Sequence, residues 1–121
     1  MEQEIRRKIE ETEEIYRKNR VALENHLDYL SNEQRKFQRY LENISVQINA
    51  TAKHYETNPP ANKRAVYRLL EQASEESRQR TRATQRNLEE RLHENQSIYN
   101  KKIRKYEEEY RKSKREGESY V

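Results

Sequence analysis

The sequence predicts an all-α chain, a long antiparallel two-helix hairpin of coiled-coil type, on three observations. In 121 residues glycine occurs once and proline twice, and the two prolines are adjacent, at Pro59 and Pro60. On each side of that break, apolar residues recur every three or four positions. The two arms are nearly equal in length and the break is short, so they should fold back as neighbours, with a four-helix bundle open to them by pairing.

The first arm carries the stronger stripe: Leu23, Leu27, Leu30, Gln34, Phe37, Leu41, Ile44, Ile48, Thr51 and Tyr55. Steps of four and three in alternation keep one narrow seam on a single helix face. Upstream it continues through Ile5, Ile9 and Tyr16. The spacing predicts one helix over about residues 2–56.

Thr57-Asn58-Pro59-Pro60-Ala61 should form the turn. Proline removes a backbone donor and disfavours the α conformation in the residue before it, so two in succession end a helix. Thr57 or Asn58 can cap the next one, with proline in its first turn.

The second stripe runs through Val66, Leu70, Ala73, Ser77, Thr84, Leu88, Leu92, Asn95, Tyr99, Ile103, Tyr106 and Tyr110. It predicts a helix over about 60–114, with Gly117 inside a frayed tail at 115–121. If the turn is centred on the prolines, facing residues have numbers that add to about 119. Phe37 and Tyr40 then lie opposite Thr81, Ala83 and Thr84, while Ile9 and Tyr16 lie opposite Tyr110 and Ile103. Leu27 and Leu30 lie opposite Leu92 and Leu88, and His26 meets His93.

Composition narrows the function. Hydrophobic residues are 31% and charged residues 40%, against about 45–50% and about 25% in average soluble domains. A chain so poor in apolar residues cannot build a deep enclosed pocket, and general acid–base chemistry needs one. With a single glycine there is no phosphate-binding loop, and with no cysteine there is no disulfide, thiolate metal site or thiol nucleophile. The expectation is a non-enzyme that needs no cofactor or metal.

No apolar run approaches the roughly 20 residues that span a bilayer, and the opening Met1-Glu2-Gln3-Glu4-Ile5 lacks a signal-peptide core. A cytoplasmic protein is expected, with export only in company with a partner.

Candidate binding residues are of two kinds. Tyr29, Tyr40 and Tyr67 sit beside the seams, where an aromatic body with a polar tip suits a protein interface. Arg78, Arg82 and Arg86 recur at four-residue spacing and should share one face, fit for an acidic partner or a phosphate backbone. The basic bias belongs to this second arm: residues 1–57 hold 10 Lys and Arg against 11 Asp and Glu, and residues 58–121 hold 16 against 11. Interleaved Glu71, Glu75, Glu76, Glu89 and Glu90 argue against nucleic acid.

The charged opening Met1-Glu-Gln-Glu-Ile-Arg-Arg-Lys-Ile9, the central turn, the hairpin length, the missing cysteine and the basic, tyrosine-bearing end together resemble a known group. These are the small α-helical targeting proteins, of Lap type and WXG-like, that accompany LXG toxins in type VII secretion of Gram-positive bacteria. WXG-type relatives carry Trp-x-Gly at the turn, and this chain has Asn58-Pro59-Pro60-Ala61 there. The resemblance implies an adaptor or chaperone that binds the helical LXG domain of a toxin, with a second small helical protein in the assembly; a homodimer would equally cover the face that a lone hairpin leaves open. A self-assembling structural coiled coil and a basic helical nucleic-acid binder are the alternatives that the residues leave open.

Overall fold

The computed structural model describes residues 2–55 and 60–119. They form two helices, α1 (Glu2–Tyr55) and α2 (Pro60–Ser119), and no strand is present among them. The chain is a helical hairpin. Glu2 and Glu4 in the first turn of α1 face the positive end of its dipole. Pro60 opens α2, where its missing N–H has no intrahelical partner to lose. Thr57, Asn58 and Pro59, expected to cap and break the helices, lie outside the described residues.

The tail expected to fray from residue 115 is instead helical as far as Ser119. One glycine costs a helix only about 1 kcal/mol relative to alanine. Inward packing reaches half-buried Tyr110 and Ser113, close enough for the last turns to propagate.

Packing divides the chain into two compact units, Met1–His26 with Leu88–Val121 and Leu27–Asn87. In the central unit, Ser77 and Thr81 of α2 meet Gln34 of α1, Ser74 meets Gln38, and Tyr67 meets Asn49. In the end unit, Tyr99 meets Tyr16 and Asn95 meets Asn19. In both, residue numbers fall on one helix as they rise on the other, so the helices are antiparallel.

The register differs from the expected one. Paired numbers add to between 111 (Gln34 with Ser77) and 116 (Asn49 with Tyr67), not 119. Counting from the prolines misplaced it by three to eight residues in the sum. Tyr16 therefore stacks on Tyr99 where Ile103 was expected, and Gln38 meets Ser74 at the level where Phe37 was expected to face Thr81. His93 falls level with residues near 20, and His26 and His93 are both exposed.

The expected seam residues take the inward positions. Leu41 and Leu88 are buried, and Leu23, Leu27, Leu30, Phe37, Ile44, Ile48, Val66, Leu70, Leu92 and Ile103 are half-buried. Two expected positions turn outward. Thr51 is exposed with its hydroxyl donating to the Gln47 carbonyl at 2.9 Å, and Thr84 is exposed while Thr81 points inward.

What this seam encloses is small. Among the described residues only Ile5, Leu41 and Leu88 are buried hydrophobics. The chain exposes 10375 Å², where a globular monomer of 14.9 kDa would expose about 7,000 Å². Ion pairs such as Arg7–Glu11 and Lys18–Glu14 link successive turns of α1 in solvent, contributing about 0.2–0.5 kcal/mol apiece.

Leu88, 2% exposed, is the best-buried side chain, and Leu69 is 65% exposed. Leu88→Ala should lower stability by about 2–4 kcal/mol in urea unfolding followed by circular dichroism, and Leu69→Ala by less than about 0.5 kcal/mol. Equal losses would mean that the seam does not carry the fold.

Candidate functional site

Helix geometry sorts the side chains of each unit into two flanks. A residue that directly precedes a seam residue lies about a quarter turn back around its helix, and one that follows lies about a quarter turn on. Because the helices are antiparallel, preceding residues of α1 and α2 fall on the same side of the hairpin. A groove of about 360 Å³ in the end unit bears this out, with Asn19, Ala22 and Leu23 of α1 and Arg91, Glu94, Asn95 and Ile98 of α2 lining one side.

In the central unit, Tyr29 precedes Leu30, Tyr40 precedes Leu41 and Leu69 precedes Leu70. All three are exposed on this side, at 63%, 60% and 65%. Tyr67 follows Val66 and so lies on the opposite flank, apart from Tyr29 and Tyr40. It is half-buried, and its hydroxyl donates to Asn49 Oδ1. Arg78 and Arg82 follow Ser77 and Thr81 on that opposite flank, exposed among Glu71, Glu75 and Gln85. Arg86 falls in the end stretch of this unit and turns toward the outer surface, because each four-residue step advances about 40° around a helix. The three arginines spiral off a common face.

Sequence reasoning missed Leu69 here, and Ile15 and Ile98 in the end unit, which precede Tyr16 and Tyr99 and are also exposed. The signal was present: an apolar residue placed immediately before a seam residue, on both arms.

Between the flanks of the central unit the seam turns polar. Gln34 Oε1 accepts from the Ser77 hydroxyl at 2.7 Å and from the Thr81 hydroxyl at 2.8 Å, and Gln38 Oε1 accepts from the Ser74 hydroxyl at 2.9 Å. The Nε2 groups of both glutamines are buried without a hydrogen-bond partner. A buried donor left unmade costs about 1–3 kcal/mol. The cluster therefore weakens the hairpin, and in this register Gln34 and Gln38 accept from three hydroxyls of α2.

In the end unit, the Tyr16 and Tyr99 rings stack with centroids 4.4 Å apart, and Arg20 lies 5.6 Å over the Tyr16 ring. Beside them Asn95 Nδ2 donates to the Tyr16 carbonyl at 3.2 Å, and Asn19 Nδ2 reaches Asn95 Oδ1 at 3.4 Å. The Tyr99 phenol is raised above the ordinary tyrosine value, first by lost hydration, then by Glu13 and Tyr16, against the opposing pull of Arg17. A hollow of about 740 Å³ is lined by α1 residues between Glu10 and Asn25. Among the described residues no three His, Cys, Asp or Glu side chains gather as metal ligands, and no helix is long and apolar enough to cross a membrane.

Two outcomes follow. Replacing both sides of the polar cluster, Gln34→Leu with Ser77→Ala and Thr81→Val, should raise the urea midpoint by an amount equivalent to about 1–3 kcal/mol. Gln34→Ala alone, which strands two hydroxyls, should lower it. For Tyr99, a raised folded-state pKa means its contribution is complete below pH 10.0 and is lost as pH rises through the folded-state value. Stability of the wild type should thus fall more steeply above pH 10 than that of Tyr99→Phe, measured by urea unfolding at stepped pH.

No family, characterised protein or solved structure was found to match the chain.

Proposed function

We propose that this chain is a non-catalytic adaptor or chaperone that docks against a helical protein through the apolar flank of its central unit. The observation that carries the reading is the exposure of Tyr29, Tyr40 and Leu69 together on one side of that unit, while only three hydrophobic side chains are buried among all the described residues. Aromatic and leucine side chains on a preformed helical surface are the ordinary anchors of a helix laid into a groove. Arg78 and Arg82, exposed on the other flank, suit acidic groups of the same partner.

The resemblance to LXG-associated targeting proteins supplies the setting: the partner is the helical N-terminal LXG domain of a toxin destined for type VII secretion, with a second small helical protein in the complex. The chain acts in the cytoplasm, holding an aggregation-prone helical domain until export, and leaves with it or is released.

Co-expression with an LXG-domain protein encoded beside it, followed by affinity purification, tests this. A soluble complex is expected, with binding weakened on the order of tenfold or more by Tyr29→Ser with Tyr40→Ser and Leu69→Ser and unfolding of the free chain unchanged. A neighbour that stays insoluble, or a complex indifferent to those three changes, would refute the proposal.

A further inference from the structure

The end unit contains a short repeat across its two helices. Residues 11–18 read Glu-Thr-Glu-Glu-Ile-Tyr-Arg-Lys and residues 94–101 read Glu-Asn-Gln-Ser-Ile-Tyr-Asn-Lys, sharing Glu, Ile, Tyr and Lys at the same four places. The buried residues Ile5 and Leu88 stand at the same distance before each copy. The shared tyrosines, Tyr16 and Tyr99, are the ones that stack on each other. Two matching segments on antiparallel helices, in contact at the matching residue, are related by a local two-fold axis perpendicular to the helices.

That axis puts the shared isoleucines level with one another on one side. Ile15 is 58% exposed and Ile98 is 54% exposed. The groove beside Ile98 continues this side, with Ala22 and Leu23 among Asn19, Arg91, Glu94 and Asn95. On each helix a glutamate lies one turn before the isoleucine and a lysine one turn after it: Glu11 and Lys18 around Ile15, Glu94 and Lys101 around Ile98, all four exposed.

We infer that two copies of this chain pair through the Ile15–Ile98 face of the end unit. The charge order selects the occupant. If a second copy is laid on this face with its isoleucines over the first pair, either two-fold in the interface plane sets each glutamate against a lysine of the other copy. A partner whose charges run in the same order against this face would set like charges in opposition, which disfavours it. Pairing stacks four isoleucines in one layer and covers a strip that the isolated hairpin leaves to water, turning a two-helix contact into a four-helix one. The interface is isologous, so the same patch serves both partners and the assembly closes at two. It lies in a different unit from Tyr29, Tyr40 and Leu69, so failure of one proposal leaves the other standing.

Sedimentation of the full chain over a micromolar concentration series tests the pairing. Wild type should self-associate reversibly. Ile15→Ser with Ile98→Ser should weaken this on the order of tenfold or more, with helix content retained. A charge exchange separates pairing from any folding defect. Glu11→Lys with Glu94→Lys makes one protein with only lysines around the layer, and Lys18→Glu with Lys101→Glu makes another with only glutamates. Each alone should pair on the order of tenfold or more less tightly than wild type, and an equimolar mixture should recover hetero-pairs. A wild type that stays monomeric throughout, pairing untouched by the isoleucine changes, or a mixture that shows no preference for hetero-pairs would overturn the inference.

Discussion

The narrowness of the contact between the two helices governs the rest of this protein. Two helices meeting along a single stripe remove from water only the residues at the seam, and here that leaves three hydrophobic side chains buried among the described residues. Each ordered residue gives up on the order of 1.5 kcal/mol of conformational entropy. A seam this thin offsets that with little to spare, so helix propensity and exposed ion pairs between successive turns matter more than they would in a globular domain.

Much of the fold was legible because a helix writes its buried face into sequence spacing. Leu23 to Ile48 could be assigned to one seam from their steps alone, and the adjacent prolines marked the break between the helices. What escaped reading were quantities that spacing does not encode. The register shows in which side chains meet, as with Ser77 and Thr81 on Gln34, and counting outward from Pro59 did not give it. The end of α2 depended on whether one glycine outweighs the packing around it, and it does not. Among the surface residues, Tyr29 and Tyr40 were singled out because aromatic side chains are conspicuous. Leu69, Ile15 and Ile98 were not singled out, although each stands directly before a seam residue and is exposed.

The polar cluster at Gln34 and Gln38 and the exposed apolar flanks express one compromise. A leucine-filled seam would hold the hairpin more tightly and accept several alignments almost equally well. The glutamines lower affinity between the arms and make one alignment preferred. That alignment decides which residues of α1 stand beside which residues of α2 on each flank.

The cross-helix contacts also order themselves by the length of chain between them. Tyr67 and Asn49 are 18 residues apart, Ser74 and Gln38 are 36 apart, Thr81 and Gln34 are 47 apart, and Asn95 and Asn19 are 76 apart. Closing the widest of these directly would confine a long flexible loop. Once an inner pair is fastened, the next contact outward encloses only a few further residues, and the entropy lost at each step stays small. The arms can therefore join like a zipper that starts beside the turn, with Gln38 and then Gln34 engaging on the way.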